Sequence, residues 1–478
     1  MNGSTSSSVS TPQPADSTAR LDASCRVLLL PILASLVWAL ISSLLALLTS
    51  VKLHSPTVLA NCSWLTYGHT RPAANDAFVY GFASQAGLAV ALWMLCRLGR
   101  TTLVGAIPVA IASLFWNLGV TFGLVGIFTG HTTGFDWLEF PTAGSGILIA
   151  SYAVLGLCAL LTFRARRNAE LYPSQWYILA ALFWFPWLYT TARLLLVWFP
   201  VRGVMQLAVG GWFANGLFTL WLGSLALAVL FYFIPKLAGA PLHSRALAML
   251  GFWSLAVFGC WAGFYRGLPL PAWMISTGLA ATAILIVPML ATVSNLWLTL
   301  GEGSNAKAPL LGFFKVSLVF FALTGVFTVF AAFIPQLRLT LFGEGLEQLA
   351  LYGFVGLALF GAVHYIVPKL TGVESDCCVG ANCWGTFLGI IIYSGAFIAG
   401  GMIQQKKLVS GVPFADVMNF TKMPIRLSTL GLLLIVVGNA AILFRVLSLL
   451  RACCRACCAS CCTDSKTPVN LKPAEAAR

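Results

Sequence analysis

Charge is scarce in this chain. Of 478 residues, Lys and Arg supply 28 and Asp and Glu only 14, so charged residues make up 9%. A soluble domain carries about 25%, so this shortage excludes a water-soluble globular enzyme. Histidine is scarcer still, with five in all. Four of them (His54, His69, His131 and His243) fall in loops or at interfaces, and only His364 lies inside an apolar run. A site built from several intramembrane imidazoles is therefore excluded. There is no Walker loop and no dinucleotide fingerprint. The excess of basic over acidic residues, +14, is not arranged for nucleic acid. It suits loops facing an anionic membrane surface. The first 24 residues are rich in Ser, Thr and Pro and have no apolar core. They read as a disordered tail and not as a cleavable signal.

What is present is apolar length. Hydrophobic residues make up 59% of the chain, and runs of about 20 recur from end to end, the length that crosses a bilayer as helix. Twelve spans are predicted, at 26–50, 76–97, 102–129, 142–163, 174–200, 209–234, 246–264, 272–298, 310–335, 348–367, 384–402 and 425–448. The expected organisation is a tail over 1–24, a membrane domain over 25–450 and a Cys-rich tail over 451–478. Basic residues cluster after even-numbered spans: Arg97 and Arg100, then Arg164, Arg166 and Arg167, then Lys236 and Arg245, Lys369, and Arg445, Arg451 and Arg455. Lys307 and Lys315 fall on the same side, at the start of span nine. By the positive-inside rule both termini are then cytoplasmic. Lys406, Lys407 and Lys422 run against that pattern.

The chain repeats itself. "FYFIPKLAG" (231–239) ends span six and "HYIVPKLTG" (364–372) ends span ten. A single copy is an ordinary helix exit, with Pro stopping the helix and Lys reaching the interface. Two copies four helices apart suggest a unit of four helices used three times.

That plan, together with "WLTYGHTRPAANDAFVYGFASQAGL", "GFWSLAVFGCWAG" and "GLPLPAW", resembles the catalytic subunit of cbb3-type cytochrome c oxidases, the haem-copper oxidase central subunit family. The likeness covers roughly 20–450. It implies an all-α polytopic membrane protein with twelve transmembrane helices in three four-helix arcs. It also implies a bacterial inner membrane, haem b and copper, and respiratory partners such as membrane-anchored c-type cytochromes. The family's chemistry needs six intramembrane histidines on spans two, six, seven and ten. At the matching positions this sequence has Ala74, Ala214, Tyr265, Arg266, Leu346 and Gln348, and Gly259 stands where the family has a tyrosine. No catalytic residue and no bound cofactor is therefore expected, and the emptied centres are expected to be filled by side chains.

Several residues keep two readings. Arg71 and Arg426 match family arginines that clamp haem propionates, but an interfacial arginine paired with a lipid phosphate or a loop carboxylate is the more ordinary reading. His364 is either a lone ligand or hydrogen-bonding glue between helices. Tyr265 and Arg266 can hold an anion or simply anchor a helix end. Asp76 and Glu347 lie near helix ends, where solvation is the expectation. "RACCRACCASCC" places Cys453, Cys454, Cys457, Cys458, Cys461 and Cys462 along a helical tail. A solvated, reduced tail is the ordinary reading; soft-metal binding or lipidation suits them better than disulfides, with Cys377, Cys378 and Cys383 of another cytoplasmic loop as candidate partners. Three functions follow. The first is a ligand-deficient oxidase-like subunit of a respiratory complex. The second is a working oxidase with unconventional ligation. The third is a transporter or channel on the same fold.

Overall fold

The computed structural model describes residues 14–264, 266–304, 310–373 and 378–463. Every element among them is helical, as lipid demands of a chain whose backbone groups must be satisfied internally. Among the described residues, eleven helices are long and apolar enough to cross a membrane. The seventh of the twelve expected spans is shorter: its helix runs Arg245–Phe258 and stops. At 1.5 Å per residue its 14 residues reach about 21 Å, short of the ~30 Å hydrocarbon core. The expected helix to 264 fails because the chain turns at Gly263 and Gly267, whose φ values of +102° and +93° leave the helical region. The eighth span is broken between Ile284 and Ile286, just ahead of Pro288, which cannot donate to the carbonyl of Ile284.

Three helices form the centre. In Tyr67–Gly99, Val204–Ala238 and Leu341–Thr371 (spans two, six and ten), 100%, 89% and 89% of the most apolar stretch is buried, against 28% in Leu311–Phe333. The repeat read from sequence is thus a central trio, four helices apart, with the remaining helices outside it. Near the face where span one begins (the N-terminal face), the trio meets in one aromatic cluster. Trp93 of span two stacks 6.2 Å from Phe233 of span six and lies edge-on, 6.0 Å from Tyr365 of span ten. Each central helix also contains a π-helical segment, at Ala77–Ala83, Leu217–Leu222 and Leu349–Gly356.

Spans two and ten start earlier than predicted, at Tyr67 and Leu341 in place of 76 and 348. Hydropathy misplaced these ends because neighbouring helices, not lipid, surround them, so polar residues are tolerated inside. Residues 14–24, expected to be without structure, form a helix, Pro14–Ser24. Its Asp22 accepts from Trp93 Nε1 at 3.1 Å and pairs with Arg97 at the end of span two. The last helix, Phe414–Thr463, runs 50 residues and carries the backbone of the Cys-rich stretch as helix.

Candidate functional site

Spans two and ten face each other across the positions where haem ligands are expected. Ala74 is buried, and its carbonyl accepts from Ser42 Oγ at 2.7 Å. Gln348, also buried, donates Nε2 to Asn75 Oδ1 at 3.4 Å and to Glu344 Oε1 at 3.3 Å. Leu346 packs on the apolar cluster of Ala331, Leu337 and Phe342. Deeper in the membrane, rings close the gap. The centroids of Phe78 and Tyr352 lie 4.0 Å apart, and Phe82 stacks on Phe360 at 4.7 Å.

Toward the face opposite the N-terminal one, the two helices part around a cavity of about 450 Å³. The expectation that side chains fill the whole space between these helices fails here. Arg71 lines the cavity, but its guanidinium is taken by Glu344, Nη2 to Oε2 at 2.6 Å. Arg426 is exposed and does not line it, so the expected pair of arginines is not brought together. Span twelve begins at Phe414, 11 residues before the predicted start, which leaves Arg426 on an outward face of the helix. Glu347 and Asp136 also face the cavity, and no histidine does. These residues do not fit a haem. No histidine lines the cavity, Phe78 and Tyr352 meet at its inner end, and the carboxylates of Asp136, Glu344 and Glu347 face it, where an anionic group would meet like charge.

On the copper side, spans six and seven touch too closely for the family's ligand set. Asn215 Nδ2 donates to the Gly259 carbonyl at 2.7 Å, next to the half-buried Ala214. A Cβ on Gly259 would fall 2.7 Å from Leu220 Cδ2 and 2.6 Å from the Leu255 carbonyl, so no tyrosine is accommodated. Gly263 makes a similar approach to Asn215. Arg266 is exposed, and Tyr265 lies outside the described residues. Among the described residues, no three His, Cys, Asp or Glu side chains converge to hold a metal.

His364 sits on span ten and is buried. Its Nε2 pairs with Asn382 Oδ1 of span eleven at 3.0 Å, and its Nδ1 faces the Arg445 guanidinium of span twelve. Arg445 can only donate, so Nδ1 accepts and Nε2–H donates. Asn382 extends the chain by donating to the Gly438 carbonyl at 2.8 Å. Both imidazole nitrogens are thus engaged in tying three helices together, and neither is left for a metal. In the tail, Cys453 is half-buried, Cys454 is exposed, and neither is disulfide-bonded. Cys377 and the side chains of Cys457, Cys458, Cys461 and Cys462 lie outside the described residues.

Sequence reasoning missed one polar centre. Asp76, expected to be solvated, is fully buried, as is Arg193 of span five. Glu139, from the loop between spans three and four, is buried against them. Both Asp76 oxygens, Glu139 Oε2 and two Arg193 nitrogens have no hydrogen-bond partner. Two ionised carboxylates cannot donate to each other, so a hydrogen bond between the facing Asp76 and Glu139 requires that one of them hold a proton. Burial pushes the Glu139 carboxyl up to about 7, and Asp136 adds to the effect. An arginine inside the apolar run 174–200 was the signal available in the sequence.

Comparison with known proteins converges on the same family. Residues 26–434 match the family model described as cytochrome C and quinol oxidase polypeptide I. Relatives include the cbb3-type cytochrome c oxidase subunit CcoN1 of Stutzerimonas stutzeri, 22% identical over 77% of this chain and 81% of that protein. A cytochrome c oxidase subunit 1 homolog of Azorhizobium caulinodans is 22% identical over 78% of this chain and 71% of its own length. A bacteroid homolog of Bradyrhizobium diazoefficiens is 24% identical over 77% and 70%. With the family model matched across most of the membrane domain and the central trio in place, this chain belongs to the cytochrome c and quinol oxidase polypeptide I family, as a divergent member.

Proposed function

We propose that this chain is an integral membrane subunit of a respiratory electron-transfer complex, keeping the oxidase fold without itself reducing oxygen. It would sit in a bacterial inner membrane with both termini cytoplasmic and contact membrane-anchored c-type cytochromes. The observation that carries the reading is the packing between spans two and ten: aromatic rings with centroids 4.0 and 4.7 Å apart join the two helices one turn and more beyond Ala74 and Gln348. The close contact of Gly259 and Asn215 supports the same reading on the copper side. Electron transfer within such a complex would then run through its cytochrome partners. The test is a dithionite-reduced optical spectrum of the purified chain, with iron and copper analysis. The expected result is no reduced b-type haem band, sub-stoichiometric metal and no cyanide-sensitive oxygen uptake. Stoichiometric haem with copper would overturn the reading.

A further inference from the structure

We propose that Cys25 and Cys96 are a redox pair, two thiols that a hydroperoxide converts to a disulfide stapling the N-terminal helix Pro14–Ser24 to the end of span two. Cys25 follows that helix directly, and Cys96 lies in the last turn of span two. They are 1% and 0% exposed, and their side chains hydrogen-bond to each other. Their surroundings hold the contact from both sides. Asp22, one turn before Cys25, accepts from Trp93 Nε1 at 3.1 Å and pairs with Arg97, so its two partners bracket Cys96. Ser24 Oγ accepts from the Leu103 amide at 3.2 Å, just beyond span two, and lies 3.8 Å from Cys25 Sγ. The Cys96 carbonyl accepts from the Thr101 amide at 3.1 Å. Thiols already in contact need only a short approach to reach the ~2.0 Å of a disulfide.

Buried cysteines often serve only as small apolar side chains. This pair differs in that each thiol is the other's hydrogen-bond partner beside a guanidinium. The Cys96 S–H donates to Cys25, and that bond outweighs burial and holds the Cys25 thiol below its ordinary range; Ser24 and Arg97 act the same way, and Asp22 acts against them. The thiolate is the attacking form, so Cys25 reacts first. Its sulfur attacks the O–O bond of the peroxide, giving a sulfenic acid and, with the thiol proton, one water. Cys96 then attacks that sulfur, and its proton leaves with the displaced hydroxide as a second water. The two thiols lose two electrons, which reduce the peroxide. Ala23 and Arg26, on either side of Cys25, are exposed, so its sulfur lies one side chain below the surface, within reach of a small oxidant. With this face cytoplasmic, as proposed above, the resting thiols are reduced and the bridge forms only under oxidant.

The full chain, purified in maltoside micelles with reductant and then freed of it, is exposed to rising hydrogen peroxide, quenched in acid, alkylated with N-ethylmaleimide in urea and digested without reduction. Mass spectrometry should find the Cys25 and Cys96 peptides linked, two hydrogens lighter than the free pair, at a dose about tenfold below the one that oxidises Cys158. Cys158 is the control because it is also buried, but its sulfur faces the Gly105 carbonyl. Dithiothreitol should return both peptides to the alkylated form. In Cys96→Ser, Cys25 should stop at the sulfenic acid and be trapped by dimedone, and Cys25→Ser should protect Cys96. The linked peptide is read on the parent chain, so the outcome does not depend on either variant folding. The proposal is overturned if both cysteines remain alkylated at a dose that oxidises the exposed Cys454, if either bridges mainly to a third cysteine, or if Cys158 oxidises at the same dose.

Discussion

Replacing Phe360 by alanine tests whether side-chain packing, and not a cofactor, holds spans two and ten together. Phe360 and its stacking partner Phe82 are fully buried, with centroids 4.7 Å apart. In a soluble core, Phe→Ala costs about 3–5 kcal/mol, but part of that is transfer of the ring from water. A membrane protein unfolding within lipid recovers little of that term, since lipid tails are as apolar as the core. The cavity term remains: about 24 cal/mol per Å³ over the roughly 100 Å³ of a lost ring, or about 2–3 kcal/mol. Phe115, about half exposed on span three, is the control, and its alanine variant should change stability by less than about 0.5 kcal/mol. Unfolding of both variants is followed by circular dichroism in mixed micelles of rising dodecyl sulfate content. Equal midpoints for the two variants would refute the packing argument, because the interface would then be held by something other than these rings.

Three further outcomes are expected. His364→Ala should cost about 1–3 kcal/mol in the same assay, because it strips a partner from both Arg445 and Asn382 in a buried network, and it should leave the optical spectrum unchanged. Glu139 has a raised native pKa, near 7 against 4.5 unfolded, so the native state binds more protons than the unfolded one between those values. Stability should therefore fall as pH rises from about 4.5 to about 7, by up to about 3 kcal/mol from this group. Glu139→Gln should flatten that slope, and an unchanged slope would remove Glu139 from the account. Reporter fusions after Arg167 and after Arg445 should both sit in the cytoplasm, and an external signal at either would overturn the orientation.

The helices were legible because lipid leaves the backbone few alternatives and because apolar length is counted directly. Their ends were less so. Arg71, Asp76, Glu344 and Glu347 mark the edge of hydropathy, yet they lie inside helices Tyr67–Gly99 and Leu341–Thr371 because protein surrounds them. The residue types at the expected ligand positions could be read from the sequence, but what surrounds them could not. That Gln348 reaches Asn75, that Arg71 is held by Glu344 and that His364 bridges to Arg445 depend on contacts between residues from 81 to 273 positions apart. Asp76 read as solvated because its partners, Glu139 and Arg193, lie far off in sequence. The short helix Arg245–Phe258 was overextended because Gly259–Phe264 is apolar enough to continue a span while its glycine at 263 turns the chain.

The π-helical segments bear on why the trio keeps its shape without its expected ligands. Each of those in the central helices begins three residues beyond an expected ligand position, Ala77 after Ala74, Leu217 after Ala214 and Leu349 after Leu346, whereas a fourth segment, Leu194–Trp198 of span five, follows none. A π turn is a rare departure from the α-helix and is found frequently at functional sites. Here the side chains it carries are bulky and buried: Phe78 and Phe82 in the first segment, Leu220 and Trp221 in the second, Tyr352 and Phe354 in the third. Phe78 meets Tyr352 directly, so two of the three segments contact each other through these rings. The local widening that would aim a ligand at a metal aims a ring at the neighbouring helix when the ligand is alanine or leucine. Geometry of this kind resists change, because straightening any one segment would rotate the rest of its helix against the other two.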